Sequence, residues 1–123
     1  MLEFHLLFWL LTKHSIADYF TQYPWMTKYK GIYGHPGGLA HAGWHGLLTT
    51  IICVYFVGMW PALLLGLLDS VIHYHVDYVK SNSWKRWPCT PQDQLFWIIH
   101  GIDQYLHGMT YFLILHLVSH GHV

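Results

Sequence analysis

Residues 100–107 of this 123-residue chain read His100-Gly101-Ile102-Asp103-Gln104-Tyr105-Leu106-His107, within an otherwise apolar run from Leu95 to Leu117. Offsets of three and four residues place His100, Asp103 and His107 on one face of a helix. Imidazole and carboxylate groups in so apolar a helix need polar partners or a metal ion, because their desolvation is otherwise too costly. The stretch therefore predicts a helix whose polar stripe faces a protein interior.

Three other apolar segments carry polar pairs at the same spacing. They read His14-x-x-x-Asp18, His41-x-x-x-His45 and His73-x-x-x-Asp77. Histidine and carboxylate side chains are common ligands of zinc, iron and manganese. We predict that eight side chains from four helices converge on one metal centre: His14, Asp18, His41, His45, His73, Asp77, Asp103 and His107.

The composition narrows the class of protein. The chain is 54% hydrophobic and 18% aromatic with only 10% charged residues, which is too apolar for a soluble protein of this size. Twelve histidines against six Lys plus Arg indicate metal or proton chemistry. The formal net charge is zero, so the chain has no basic surface for nucleic acid. The composition therefore predicts a membrane protein without a nucleic-acid partner.

Four segments approach the roughly 20 residues that cross a bilayer. They comprise residues 3–22, 39–59, 61–80 and 94–118. The first lacks the basic start and the small-residue cleavage site of a signal peptide, so we expect it to be retained. We predict one domain over residues 1–123, an all-α, integral membrane four-helix bundle with an interior metal site.

Basic residues indicate the orientation of these spans. Lys28 and Lys30 lie in the first loop, and Lys80, Lys85 and Arg86 lie at or in the third, on the same side of a four-span protein. The positive-inside rule makes that side cytoplasmic and leaves both termini on the opposite side. In this topology all four polar pairs fall at a similar depth in the cytoplasmic half, which favours a shared site.

Five histidines and three aspartates exceed the needs of one tetrahedral ion, so two metal ions use them better. We expect two zinc ions, with iron or manganese as alternatives, because imidazoles dominate and no cysteine cluster is present. A dizinc site near the headgroups predicts a hydrolase that acts on a lipid or lipid-linked phosphoester. The absence of bridging glutamates disfavours a di-iron oxidase.

Three further residues are candidates for catalytic roles. Asp69 lies one turn before His73, and His100 lies two turns before His107. Either could orient a ligand, bind a further ion or shuttle a proton. Lys80, three residues past Asp77, could hold a substrate phosphate, or it could anchor its helix at the membrane interface.

At these residues the chain resembles the small bacterial and phage membrane proteins grouped as domain of unknown function 3307. The matching positions are His14, Asp18, Tyr19, Gln22, Trp25, Lys28, His41, His45, His73, Asp77, Lys80, Asp103, Gln104 and His107. The resemblance spans nearly the whole chain and implies an integral membrane protein. Together with the orientation from the basic residues, we expect a protein of the bacterial inner membrane with both termini periplasmic. More distantly, the chain is similar to membrane-bound metal-dependent hydrolases.

Two other functions fit the same residues. The ligands could form the transit site of a metal-ion or proton transporter or channel, which predicts polar groups that continue to the other leaflet. The only candidates for that continuation are His5, Asp69 and His116. Alternatively, metal could merely stabilise a phage or bacterial membrane interaction protein without catalysis. A homodimer or a membrane-protein partner is possible in each case.

Overall fold

The computed structural model describes all 123 residues, and the chain is entirely helical. The elements are α1 (Leu2–Ser15), a π-helix (Ile16–Phe20), α2 (Pro24–Thr27), α3 (Pro36–Val57), α4 (Met59–Arg86) and α5 (Gln94–Ser119). Helix α1 packs against α3 and α5, and α4 packs against the same two helices. The four long helices therefore enclose one interior, and the predicted all-α class is confirmed.

Helix α4 continues past the end predicted at residue 80. The side-chain amide of Asn82 donates to the carbonyl oxygen of Tyr78 at 2.8 Å, and the Ser83 hydroxyl donates to that of Val79 at 2.8 Å. These polar residues bond back onto their own helix, so the loop predicted over them is wrong. The helix ends at Arg86, because the proline at position 88 disfavours helical geometry in the residue before it.

The first predicted helix is interrupted by a π-helical segment, residues Ile16–Phe20. The backbone N–H of Thr21 donates to the carbonyl oxygen of Ile16 at 2.9 Å, a bond that spans five residues. Such wider turns are rare and are found mostly at functional sites. This one carries Asp18, so the local geometry of that carboxylate departs from the regular helix that the sequence predicts.

Glycines allow α3 and α4 to approach closely. A Cβ atom at Gly46 would collide with the carbonyl oxygen of Gly66 and the side chain of Ser70. A Cβ atom at Gly66 would collide with the carbonyl oxygen of Gly46 and the side chain of Thr50. Gly58 joins the two helices with a φ of +82°, a conformation that glycine adopts without strain.

We expect Gly46→Ala and Gly66→Ala each to lower the free energy of unfolding by about 1–3 kcal/mol, since the methyl group meets backbone that cannot rotate away. The matched control is Gly43→Ala on α3, where a Cβ atom meets nothing within 4 Å. That control should be neutral or stabilising, because alanine is the better helix former. Denaturant unfolding in detergent measures all three variants, and equal effects at positions 43 and 66 would contradict the close approach.

The interior has an apolar end and a polar end. Seven residues form the apolar core: Leu6, Leu10, Cys53, Ala62, Leu65, Tyr111 and Ile114. The predicted polar pairs lie at the opposite end of the four long helices.

By length and composition, only α3 could cross a membrane, and core helices of soluble proteins meet the same criteria.

Candidate metal centre

The structure brings all eight predicted ligands together at one level of the interior. Helix α1 and the π-helix contribute His14 and Asp18, and the other three long helices contribute one pair each. The side chains of His41, His45, His73 and His107 are at most 2% exposed. Four helices therefore place five imidazoles and three carboxylates in a site that is nearly closed to solvent.

One donor set contains Asp18, His41, His45 and His73, whose ligand atoms all lie within 4.8 Å of one another. Asp18 Oδ1 lies 2.9 Å from His45 Nε2 and 3.1 Å from His41 Nε2. The Nε2 atoms of His41 and His73 are 3.1 Å apart. Donor atoms in a tetrahedron around zinc, with bonds of about 2.0–2.1 Å, lie about 3.3 Å from each other. These separations therefore fit one metal ion.

A second donor set contains His73, Asp77 and His107. His107 Nε2 lies 3.4 Å from Asp77 Oδ1 and 3.3 Å from Asp103 Oδ1. The other oxygen of Asp77 lies 3.3 Å from His73 Nε2. Asp77 thus faces both sets with different oxygens, whereas the single Nε2 atom of His73 can bind an ion of only one set.

Buried polar atoms without hydrogen-bond partners converge here. Asp103 Oδ1 and His107 Nε2 are both inaccessible to solvent, lie 3.3 Å apart and lack a hydrogen bond of good geometry. Leaving such atoms unsatisfied costs about 1–3 kcal/mol each, and more when they are charged. Asp77 Oδ1 lies 3.4 Å from the same Nε2 atom of His107. A cation bound between these groups would satisfy both unpaired atoms together, so the residues present fit a metal ion.

His14 lies at the edge of the cluster and holds it to α5. Its Nδ1 atom lies 2.7 Å from the Tyr111 hydroxyl, and its Nε2 atom lies 3.1 Å from Gln104 Oε1. The same Nε2 atom is 3.2 Å from Asp18 Oδ2. Both ring nitrogens are therefore engaged, and this ring fixes the orientation of the Asp18 carboxylate.

Two lysines contact carboxylates at the border of the cluster. Lys30, from the loop after α2, places its Nζ atom 2.7 Å from Asp77 Oδ2 and 2.5 Å from Gln22 Oε1. Lys80 donates to Asp103 Oδ2 at 2.8 Å. Asp77 and Asp103 are thus each paired with a lysine, whereas Asp18 contacts only imidazoles. A cation bound at the cluster would therefore balance the charge of Asp18.

A buried ion pair between Lys13 and Asp69 lies one turn from the cluster. The sequence analysis identified Asp69 as a candidate but did not identify Lys13. Lys13 Nζ lies 2.5 Å from Asp69 Oδ2, and the two side chains are 3% and 1% exposed. Thr49 donates to the same carboxylate at 2.6 Å. Lys13 Nζ also lies 3.2 Å from His45 Nδ1, so Asp69 reaches the cluster only through Lys13. The signal for Lys13 was present, because it is a cation in an apolar helix beside His14.

The remaining catalytic candidates have different surroundings. Lys80 contacts a predicted ligand through Asp103, and its Nζ atom lies 5.0 Å from the ring centroid of Trp84. His100 lies outside the cluster beside Phe96 and Trp97 and makes no hydrogen bond. Lys30 was predicted only as a basic loop residue, because its contact with Asp77 depends on the path of the loop.

The family of the chain follows from comparison with known sequences. A family model described as "Protein of unknown function (DUF3307)" matches residues 6–122. The chain belongs to this family. All eight candidate ligands of this DUF3307 protein lie inside the matched region. No curated protein and no solved structure matches the DUF3307 chain significantly.

Proposed function

We propose that this protein is a membrane-embedded, metal-dependent hydrolase that acts on a lipid or lipid-linked phosphoester. The proposed cofactor is zinc, as two ions, with iron or manganese as alternatives. The observation that carries the proposal is the buried donor set around Asp18, whose Oδ1 atom lies 2.9 Å and 3.1 Å from the Nε2 atoms of His45 and His41. Imidazole and carboxylate donors at these separations are typical of catalytic zinc sites.

The count of two ions rests on Asp77. Its Oδ2 atom faces His73, and its Oδ1 atom faces His107, so this carboxylate is suited to bridge two ions. Metal ions a few ångströms apart are common in enzymes that hydrolyse phosphoesters. Asp103 and His107 would complete the second set, which lies closer to Lys80.

The distribution of apolar residues supports an integral membrane four-helix bundle. Ten hydrophobic residues are buried, whereas 34 large hydrophobic residues are exposed, and most of the buried polar groups belong to the cluster and the Lys13 pair. Soluble monomers rarely expose contiguous apolar surface on this scale. Helix α1 has only 14 residues before the π-helix begins. Helices α4 and α5 are long enough to span a bilayer, and their buried aspartates and histidines lower a hydropathy average without changing the outward face.

The basic residues support an orientation in that membrane. Asn82 donates to the Gly31 carbonyl oxygen at 3.3 Å, so the loop with Lys28 and Lys30 lies beside the last turns of α4, which carry Lys85 and Arg86. Five of the six Lys and Arg residues therefore lie at one end of the molecule. By the positive-inside rule we place that end in the cytoplasm, with the chain in the bacterial inner membrane and both termini periplasmic.

In the proposed reaction a water oxygen bonds to phosphorus, the ester P–O bond breaks, and the alcohol leaves with a proton. Bound divalent ions would supply Lewis-acid activation of the water and the phosphoryl oxygen. The Lys80 ammonium group, at the border of the cluster, can attract the phosphate. Asp69 acts through Lys13, which positions the His45 ring, while the His100 ring lies beside Phe96 and Trp97 and makes no hydrogen bond to a donor.

The experiment that tests this function begins with elemental analysis of tag-free protein, purified in detergent without added metal. We expect about two zinc ions per chain, as the donor count requires. The same preparation is then incubated with phospholipids and polyprenyl phosphates, and hydrolysis is followed by phosphate and lipid analysis. Turnover that a chelator removes and zinc restores supports the proposal. Two bound iron ions per chain would favour an oxidase instead. Protein without bound metal would contradict the proposed enzymatic function.

A metal-ion or proton transporter is the second candidate. The buried Lys13–Asp69 pair extends the polar interior by one turn beyond the cluster, which is the observation in its favour. Beyond that turn the interior is filled by the apolar core around Leu10, Leu65 and Ile114, while His5 and His116 are both exposed. An ion path would therefore have to cross this apolar layer, and we place the transporter second. Metal uptake into vesicles that contain the purified protein distinguishes it from a hydrolase.

A membrane interaction protein is the third candidate, in which metal stabilises the helices and no substrate is turned over. The tight contact between α3 and α4 at Gly46 and Gly66 would serve this role as well as catalysis. Bound zinc with no turnover in the lipid screen, and a lower melting temperature after chelation, would favour it. The partner would be a second copy or another membrane protein, recognised through the exposed apolar faces.

A further inference from the structure

A groove between α4 and α5 lies directly beside the cluster. Its volume is about 380 Å³, within the range typical of small-molecule sites. Six hydrophobic residues line it: Val76, Val79, Trp87, Ile99, Ile102 and Leu106. Val79 is 61% exposed and Ile102 is 56% exposed, so the groove opens onto the outer surface of the helices.

The polar end of this groove is shared with the candidate metal centre. Lys80 and Asp103 both line the groove, and Lys80 donates to Asp103 Oδ2 at 2.8 Å. The second oxygen of Asp103 lies 3.3 Å from His107 Nε2 and has no hydrogen bond of its own. A molecule whose apolar chain fills the groove would therefore hold its polar end one side chain away from the metal donors.

The polar end of the groove pairs the Lys80 ammonium group with the Asp103 carboxylate and still offers donors to an anion. A lysine ammonium group has three N–H donors, and the Asp103 carboxylate accepts from Lys80, so donors remain for a ligand. The other three large grooves of the protein contain no lysine or arginine. Of these four grooves, this one combines an apolar floor with a lysine at its end.

We propose that the groove between α4 and α5 binds the hydrocarbon chain of a lipid phosphate from the bilayer, with the phosphate on Lys80. The inference rests on the proposed function and specifies its substrate class and the side from which the substrate enters. A chain that lies laterally between two helices enters from the hydrocarbon region, and its headgroup stays at the basic end. The phosphoester then faces Asp103 without leaving the membrane.

The test measures binding of dioleoyl phosphatidic acid and dioleoyl phosphatidylcholine to the full-length protein in detergent by native mass spectrometry. We expect phosphatidic acid to bind more tightly, and Lys80→Gln to remove this preference. Ile102→Trp should fill the groove and weaken phosphatidic acid binding about tenfold, a loss of about 1.4 kcal/mol. Val79→Phe on the facing helix should do the same. The matched control is Leu113→Trp, an exposed site on α5 outside the groove, which should bind as wild type does.

The outcomes separate this inference from the proposed function. If Ile102→Trp and Val79→Phe both bind phosphatidic acid as well as Leu113→Trp does, the groove is not the lipid site, even if the wild type hydrolyses lipid phosphates. Equal affinity for the two lipids would also overturn the inference. If the groove variants lose binding but the wild type hydrolyses no lipid phosphate, the result supports the groove as the lipid-binding site and contradicts the proposed hydrolase activity.

Discussion

Replacement of both His45 and Asp77 by alanine is expected to remove nearly all bound metal from the purified protein. His45 belongs to the first donor set, and Asp77 faces both sets, so the double variant leaves neither set complete. Loss of an outer partner of a metal ligand alone lowers affinity about 10–100-fold, and loss of two direct ligands should exceed this. Any hydrolysis should fall by more than about 100-fold for the same reason.

Elemental analysis and phosphate release measure this double variant beside its control. The control is Glu3→Ala/His5→Ala, which removes one carboxylate and one imidazole from an exposed turn of α1 at the other end of the molecule. The control should keep the metal content and turnover of the wild type. Unchanged metal stoichiometry in His45→Ala/Asp77→Ala would remove the cluster from consideration as the metal centre.

The second large effect concerns the buried pair of Lys13 and Asp69. Asp69→Leu should lower the free energy of unfolding by about 3–5 kcal/mol, because it leaves the Lys13 ammonium group buried without its carboxylate. Lys13→Met/Asp69→Leu should regain most of this loss, since apolar side chains of similar volume often replace a buried ion pair at little cost. Denaturant unfolding in detergent gives the coupling energy as a double-mutant cycle.

The double variant also separates stability from positioning. Lys13 Nζ lies 3.2 Å from His45 Nδ1, so its loss leaves that imidazole without its outer partner. We expect Lys13→Met/Asp69→Leu to fold but to bind zinc about 10–100-fold more weakly. Zinc affinity is measured by competition with a chromophoric chelator. A double variant as unstable as Asp69→Leu, or one with unchanged zinc affinity, would contradict the assigned role of Lys13.

The residue pattern along the chain predicts that the four polar pairs meet inside the molecule. A carboxylate or imidazole in an apolar helix is too costly to leave against apolar surroundings, so the four pairs at a spacing of four residues had to face a common interior. The structure places His14, His45, Asp77 and His107 together at one level, as that argument requires. The all-α class follows from the same periodicity.

The division of these residues into two donor sets, and the identity of the lysines beside them, depend on packing between segments that are distant in the chain. Lys30 reaches Asp77 from a loop, and Lys13 pairs with Asp69 across two helices, at separations of 47 and 56 residues along the chain. The π-helical turn at Asp18 and the close approach of α3 to α4 set the donor distances. Periodicity fixes the direction of a side chain on its own helix. The choice of partner depends on packing between distant segments, which local sequence patterns do not specify.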